Sequence, residues 1–137
     1  MRLRVLAKSK NRILGVEVGG ECPSEAFLSD SEAEMDASRI GMRMVLNHLC
    51  EHNFDSVSNW IHQVNKTEKI YEIKKGRLRL FFFRGDGSDI AICTTGLVKK
   101  TQKVDPSAIA KAVSMKTQYW DAVARNAIKV ITDDDIK

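Results

Sequence analysis

The 137-residue sequence predicts an α+β fold, in which N-terminal helices and a C-terminal helix pack on one mainly antiparallel sheet. Two observations support this prediction. Strand-like runs occur in two groups, one at the start of the chain and one after residue 69, and do not alternate singly with helices. Helical patterns fill the segment between the groups and the segment after the second group, which is typical of helices stacked on one sheet.

The chain opens with a predicted β-hairpin. Residues 2–8, RLRVLAK, alternate basic and apolar side chains as a half-exposed strand does. Residues 12–18, RILGVEV, are a second strand-like run, and the three residues between the runs are few enough for a hairpin turn. Gly19, Gly20 and Pro23 then break the strand pattern.

Two helices are predicted next. Ser31 and Glu34 resemble a capping box, and good helix formers continue to about Glu51, where Asn53 can end the helix. Its apolar stripe consists of Met35, Ile40, Met42, Met44, Val45, Leu46 and Leu49. A second, short helix is predicted because Val57, Trp60, Ile61 and Val64 have the spacing i, i+3, i+4, i+7.

A three-stranded meander follows. Its strands are IYEIK at 70–74, RLRLFFF at 77–83 and DIAICTTGLV at 89–98, and the tight-turn sequence GDGS joins the last two. In the middle strand Leu78, Leu80 and Phe82 are predicted to face the core. The alternate positions, which include Arg79, lie on the other face.

A final helix is predicted to begin at Asp105 and Pro106, which suit the N-cap and first helical positions. Its predicted buried residues are Ile109, Ala112, Val113, Trp120 and Val123. Residues 127–131, AIKVI, either continue this helix or form a last short strand.

The composition is that of an ordinary globular domain, with 43% hydrophobic and 29% charged residues. The formal net charge is +4, and the charges are segregated. Residues 2–12 and 69–103 are rich in Lys and Arg, whereas residues 17–36 carry acidic residues and no Lys or Arg. Such segregation can build one positive face.

The sequence predicts a cytoplasmic protein. It contains no apolar run of roughly 18 residues that would span a membrane, and no apolar signal core follows the basic N-terminus. The cysteines, Cys22, Cys50 and Cys93, are odd in number and lack a CxxC spacing, so they are expected to be reduced and buried.

Motifs for nucleotide or nucleophilic chemistry are absent from the sequence, which has no GxxxxGK[ST], GxGxxG or GxSxG. His48 and His52 share a helix face, but no third ligand is evident, and they are expected to be solvent-facing or packed. Cys93 lies in a predicted buried strand and is expected to be inert. We therefore expect neither a metal nor a cofactor.

The remaining constellation is basic, and two interpretations of it stay open. Its members on the strands are Lys74, Arg77, Arg79 and Arg84, and those after the third strand are Lys99, Lys100 and Lys103. Clustered cations bind phosphates. They are equally compatible with solvated strand ends that pair with the acidic segment 17–36. Phe81 and Phe83 are expected to pack in the core; if exposed, they would stack on unpaired bases.

Residues 69–113 resemble the RelE/ParE toxin superfamily, and most closely its HigB-like, phage-derived branch. The motifs that carry the resemblance are Tyr71-Glu72-Ile73-Lys74, Arg79 before Leu80-Phe81, and Lys99-Lys100-Thr101-Gln102-Lys103 leading into a helix. The resemblance implies that residues 1–137 are a single RelE-like toxin domain with an extended N-terminal region.

The resemblance also implies an activity, namely ribosome-dependent cleavage of mRNA without a metal. In that reaction the 2′-hydroxyl attacks the adjacent phosphate and leaves a 2′,3′-cyclic phosphate. The implied catalytic residues are Lys74, Arg79 and Lys100, and the implied RNA-binding residues are Arg77, Arg84, Lys99 and Lys103. The implied partners are the ribosome with its mRNA and a cognate antitoxin of the helix-turn-helix DNA-binding kind.

The sequence departs from the RelE pattern in its proton-transfer groups. Glu72 replaces a strand lysine and is either a general base or structural, Pro106 stands where a tyrosine is expected, and Tyr119 lies far along the final helix. No histidine is close to the basic cluster in sequence. A ParE-like inhibitor of DNA gyrase and a non-catalytic nucleic-acid- or protein-binding phage accessory protein therefore remain as alternatives.

Overall fold

The computed structural model describes residues 1–30, 36–56, 59–100 and 105–132. In these ranges the chain forms seven strands and three α-helices. In chain order they are β1 (Arg2–Lys8), β2 (Arg12–Val16), α1 (Pro23–Ser29), α2 (Asp36–His52), β3 (Ile61–Asn65), β4 (Ile70–Lys75), β5 (Leu78–Phe83), β6 (Asp89–Val98), α3 (Pro106–Ala124) and β7 (Lys129–Ile131).

The seven strands form one sheet in the order β3-β4-β5-β6-β2-β1-β7. Only the β2–β6 and β1–β7 pairs are parallel among the described strands. The predicted α+β fold with a mainly antiparallel sheet is confirmed. The predicted hairpin of β1 and β2 is also present, and β2 joins it to the meander by pairing with β6.

Helix α1 was not predicted, because Gly19, Gly20 and Pro23 indicated a break. Pro23 instead occupies the first turn of the helix, where its missing N–H is tolerated. The helix packs Phe27 on β6 at Gly96, where an added Cβ would lie 2.2 Å from the ring. The contact with β6, which is distant in sequence, fixes this short helix.

Helix α2 ends at His52, and Asn53 follows with φ 60°, so the predicted end is confirmed. The predicted stripe is only partly right. Ile40 and Met44 are 63% and 66% exposed, because the buried face is rotated toward Arg39 and Cys50. The predicted capping box lies outside the described residues.

The short helix predicted from Trp60, Ile61 and Val64 is wrong. Residues Ile61–Asn65 form strand β3, which pairs antiparallel with β4. A short apolar run fits either a helix or an edge strand, and the hydrogen bonds offered by β4 decide in favour of the strand. Val57, the remaining residue of that pattern, lies outside the described residues.

The meander is present as predicted. Leu78, Leu80 and Phe82 are fully buried beneath α2, together with Ile73 of β4. Phe81 and Phe83 on the other face are also buried, so the expectation that they pack in the core is confirmed, and they are not exposed for base stacking.

Helix α3 begins as predicted. The Asp105 carboxylate accepts hydrogen bonds from the N–H groups of Ser107 and Ala108 at 2.9 and 3.3 Å. Its buried residues are Ala108, Ala112, Tyr119 and Ala122. Trp120, which was predicted to be buried, is exposed, since Tyr119 occupies the core position. Of the two alternatives for residues 127–131, the strand is correct, because β7 pairs with β1.

All three cysteines are buried free thiols, as expected. Among the described helices, none has the length and apolar character needed to cross a membrane.

Candidate functional site

The two faces of the β3–β6 half of the sheet are covered differently. Helix α2 packs on the face that carries Ile73 and Leu80. Helix α3 packs on the opposite face, over Ile70, Phe83 and Ile92. Toward the C-terminal ends of β4 and β6, the second face carries mainly polar side chains. We call this part the open face, and its side chains come from His62, Glu72, Lys74, Arg79 and Leu97.

The strand register brings Lys74 and Arg79 side by side on the open face. They are direct partners in the β4–β5 pairing, and Arg79 is in turn the partner of Leu97 on β6. Directly opposed residues in antiparallel strands have Cβ atoms about 4.5–5.5 Å apart. Two of the three predicted catalytic residues are therefore neighbours.

Backbone carbonyls fix the Arg79 guanidinium. Its Nη1 donates to the oxygens of Gly76 and Leu78 at 2.8 and 2.9 Å, and only 11% of the side chain is exposed. Its Nε is buried and lacks a hydrogen-bond partner among the described residues. Such fixation holds a positive charge in place, which costs no reorganisation when an anion arrives.

Glu72 is a buried carboxylate beside this guanidinium. Its side chain is 8% exposed, and its Oε1 lies 3.7 Å from the Nε of Arg79. Its cross-strand partner on β5 is the buried Phe81. A buried carboxylate is costly unless a cation compensates it, and Arg79 supplies that charge.

His62 is a member of the open face that the sequence analysis missed. Its direct partner on β4 is Glu72, and its Nδ1 lies 3.7 Å from the same Oε1. The side chain is 47% exposed. The residue was overlooked because its segment was predicted to be helical. The β-branched residues Ile61 and Val64 were the available signal for a strand.

The lysines after β6 lie next to Arg77 at the end of the sheet. The Lys99 N–H donates to the Arg77 carbonyl at 2.6 Å, and the Arg77 Nε donates to the Lys99 carbonyl at 3.3 Å. These two hydrogen bonds extend the β5–β6 pairing by one residue beyond Leu78 and Val98, at the end of the sheet where Arg79 lies. Lys100 follows and is exposed. Lys103 lies outside the described residues.

Arg84 lies apart from these cations. It follows the opposite end of β5 from Arg79, and its guanidinium carbon stands 4.3 Å from the centre of the Phe54 ring. Phe54 stacks on Phe82, so Arg84 belongs to the α2 face. The structure therefore does not bring Arg84 to the open face, and its predicted role in RNA binding stays a prediction.

Three acidic residues of segment 17–36 are paired with arginines outside the open face. The Nε of Arg4 lies 3.0 Å from Oε2 of Glu17, and the Nε of Arg2 lies 3.0 Å from Oε1. The hydrogen bonds from Arg4 and Arg2 lower the pKa of Glu17. Glu25 pairs with Arg4, and Asp30 with the buried Arg39. In the described part of the chain no carboxylate forms an ion pair with Lys74, Lys99 or Lys100. Of the two open interpretations, pairing with segment 17–36 is therefore unsupported there.

Other potentially reactive groups lie away from the open face. Tyr119 is buried at the β5–β6 turn, where its hydroxyl accepts a hydrogen bond from the Asp86 N–H at 2.9 Å, and burial raises its pKa. Burial also raises the pKa of the Cys93 thiol. The rings of His48 and His52 contact each other on α2, with their centres 4.5 Å apart. The described residues contain no group of three or more potential metal ligands.

A family model described as "Phage derived protein Gp49-like (DUF891)" matches residues 36–117, which include α2, the whole meander and most of α3. Every described residue of the open face falls inside the matched range. No curated protein matches the sequence.

Proposed function

Because the chain belongs to the Gp49-like family of phage-derived proteins, a family of RelE/HigB-type toxins, we propose that it is the toxin of a type II toxin–antitoxin system that cleaves ribosome-bound mRNA. Cleavage would inhibit translation and arrest growth. In this proposal residues 1–137 act as a single RelE-like toxin domain, and β1, β2 and β7 extend its sheet.

The observation that carries the proposal is the pairing of Lys74 with Arg79 on the open face, close to the sheet end where Arg77 and Lys99 meet. Lys74 and Arg79 lie on β4 and β5, Arg77 lies in the turn between them, and Lys99 directly follows β6. Such a surface suits a polyanion, since each bound phosphate releases condensed counterions. In a purely structural surface, we expect the lysines to be paired as Arg2 and Arg4 are, whereas Lys74 and Lys99 form no ion pair with a described carboxylate.

The reaction has a 2′-hydroxyl attack the adjacent phosphate, which forms a 2′,3′-cyclic phosphate and releases a 5′-hydroxyl. Negative charge builds up on the pentacoordinate phosphorus centre. Arg79 and Lys100 are assigned to that charge, because a fixed cation stabilises the transition state more than the ground state. Lys74 is assigned to proton transfer.

The remaining cations are assigned to substrate binding. Arg77 and Lys99 at the sheet end, with Lys103 beyond the described residues, contact the RNA or ribosomal RNA backbone. The proposed partners are the ribosome and its mRNA, in the cytoplasm, together with a cognate helix-turn-helix antitoxin. An acidic segment of that antitoxin would cover the same cations and inhibit the toxin.

The test is expression of the Arg79→Ala variant alongside the wild type, with cleavage of a translated mRNA followed by mapping of its new ends. The wild type should arrest growth and produce 5′ ends inside translated codons, whereas Arg79→Ala should do neither. Arg43→Ala is the control, since Arg43 is an exposed arginine on α2 that contacts Ser29 and lies outside the open face. Unfolding curves of the purified variants would establish that each is folded.

Two outcomes would contradict the proposal. Growth arrest with intact mRNA would exclude a nuclease, and stalled gyrase–DNA complexes in those cells would favour a ParE-like target. Absence of arrest by the wild type would favour a binding protein without catalysis. Full toxicity of folded Arg79→Ala would overturn the assignment of the site.

A further inference from the structure

The open face contains a histidine–carboxylate pair that the resemblance did not supply. His62 lies on β3, which is the edge strand of the described sheet, so β4 is its only neighbouring strand there. The register places it opposite Glu72, with Nδ1 3.7 Å from Oε1. Because the imidazole is half exposed and the carboxylate is buried beside it, the ring can reach a ligand that Glu72 cannot.

Glu72 is held on its other side by Arg79. The Arg79 Nε lies 3.7 Å from the same Oε1, and two backbone carbonyls fix the guanidinium. A fixed carboxylate beside Nδ1 favours the tautomer that carries its proton on Nδ1 and leaves Nε2 as the acceptor. The contacts are longer than hydrogen bonds, as is common for catalytic contacts that tighten only with substrate present.

We propose that His62 is a catalytic proton-transfer residue of this site and that Glu72 is the positioning residue that orients it. The inference rests on the function proposed above. It supplies a proton acceptor, because the guanidinium of an arginine donates hydrogen bonds and has no acceptor atom. Glu72 acts through His62, since its own carboxylate is buried.

The proton balance of the step is complete. The Nε2 of His62 accepts the proton of the 2′-hydroxyl as the 2′-oxygen forms its bond to phosphorus. The bond between phosphorus and the 5′-oxygen breaks, and that oxygen takes a proton from the ammonium of Lys74. The products are a 2′,3′-cyclic phosphate and a 5′-hydroxyl. His62 then returns its proton to Lys74 through solvent, and Glu72 stabilises the intervening imidazolium as the buried carboxylate of a catalytic triad does.

The charged groups that share the face of His62 are Glu72 and Lys74 on β4 and Arg79 on β5. As a base, His62 acts only when its ring is neutral. Cleavage by the wild type should therefore fall when the pH is lowered far enough to protonate the ring.

The kinetic test measures single-turnover cleavage of mRNA bound to purified ribosomes between pH 5.5 and 8. His62→Gln should lower the rate at neutral pH by at least about 100-fold, in the range found for general bases, and should remove the acidic limb of the profile. His62→Gly should regain part of the lost rate when imidazole is added to the buffer. His52→Gln is the control, because His52 is an exposed histidine on α2.

The positioning role has a readout that does not depend on cleavage. Nitrogen-15 NMR of the imidazole should show the Nδ1–H tautomer at His62 in the wild type and a mixture of tautomers in Glu72→Gln. The same variant should lower the rate of the chemical step while leaving the affinity for ribosomes unchanged. A wild-type ring that carries its proton on Nε2 would overturn the role of Glu72.

The failures of the two proposals are distinguishable. If the wild type cleaves mRNA and folded His62→Gln cleaves within about threefold of it, His62 is not catalytic although the proposed function stands. If the wild type does not cleave, the proposed function fails and the catalytic role of His62 fails with it. Since His62 is half exposed, His62→Gln should fold and either result can be read.

Discussion

Two basic regions of the molecule differ in how their charges are compensated. In the N-terminal region Arg2 and Arg4 share Glu17, and Arg12 makes two hydrogen bonds to Asp89 at 2.6 and 3.0 Å. At the end of the meander, in contrast, no described carboxylate pairs with the lysines. Those lysines are Lys74, Lys99 and Lys100.

The difference separates structural cations from available ones. A guanidinium hydrogen-bonded to a carboxylate, as in Arg4 and Arg12, has its charge and its donors already used, and it ties together segments that are distant in sequence. Unpaired lysines on one surface repel each other, so they add no stability of this kind. Such a surface is expected where an anion binds. The net charge of +4 contains both kinds of cation and cannot tell them apart.

The largest effect should come from Lys74, tested against its neighbour Lys75. Lys74 lies on the open face, whereas Lys75 points to α2, where its side chain passes Gly41 and its Nζ lies 6.0 Å from the centre of the Trp60 ring. Lys74→Ala should lower the rate of mRNA cleavage about 100-fold, equivalent to about 2.7 kcal/mol of transition-state stabilisation. Lys75→Ala should cleave at the wild-type rate. Single-turnover kinetics on ribosome-bound mRNA measure both.

Lys74→Arg sharpens this comparison, because arginine keeps the positive charge but does not give up a proton. If Lys74 donates the proton to the leaving oxygen, the arginine variant should be nearly as slow as the alanine variant. Recovery of the rate by arginine would reduce Lys74 to a phosphate contact. Equal losses in Lys74→Ala and Lys75→Ala would contradict the assignment of the open face.

A smaller effect is expected at Lys99, which represents the available cations at the sheet end. Lys99→Ala should weaken binding of single-stranded RNA several-fold and flatten the plot of log affinity against log salt by about 0.7, the contribution of one phosphate contact. Fluorescence anisotropy across a salt series measures this slope. Lys10→Ala in the exposed β1–β2 turn is the matched control. The same change in slope for both variants would indicate binding without a defined site.

In the N-terminal region, removal of a paired charge should change the stability of the protein and not its activity. The guanidiniums of Arg4 and Arg2 lower the pKa of Glu17 in the folded protein, so its contribution is present above its unfolded value of about 4.3. That contribution is lost as the pH falls through the lower, folded value. Glu17→Gln should therefore unfold at a lower temperature than the wild type at pH 7 but at the same temperature near pH 2. Cleavage activity at neutral pH should be unchanged.

Thermal unfolding at the two pH values measures this difference. The control is Glu21→Gln, since Glu21 is exposed and forms no ion pair with the described residues. A difference between Glu17→Gln and the wild type that persisted at pH 2 would show that packing, and not charge, is responsible.

The elements predicted correctly from the sequence have strong local signals. The Asp-Gly turn between β5 and β6 and the Asp105-Pro106 helix start are both of this kind. Helix α1 and strand β3 were not predicted, because each is fixed by a strand that is distant in sequence. Phe27 needs the space at Gly96, and β3 needs the hydrogen bonds of β4.

The same distinction applies to the candidate site. Lys74 and Arg79 flank a short turn, and the β4–β5 pairing makes them neighbours. The separation of Arg84 from Arg79 could have been predicted, since the two differ in strand parity. His62 could not have been placed beside Glu72 without the register of an edge strand, which depends on a bulge in β3 and on the core contacts of its apolar residues.

The smallest effect should come from Tyr119, which the sequence analysis left out of the buried face of α3. Its ring packs on Phe83, and its hydroxyl accepts the hydrogen bond from the Asp86 N–H at the end of the sheet remote from Arg79. Tyr119→Phe keeps the ring and removes one neutral hydrogen bond, so it should lower the free energy of unfolding by about 1 kcal/mol. Urea denaturation measures this loss, and mRNA cleavage by the same variant should remain at the wild-type rate. A large loss of cleavage without loss of stability would mean that the tyrosine, buried as it is, belongs to the chemistry, and that the functional surface extends beyond the open face.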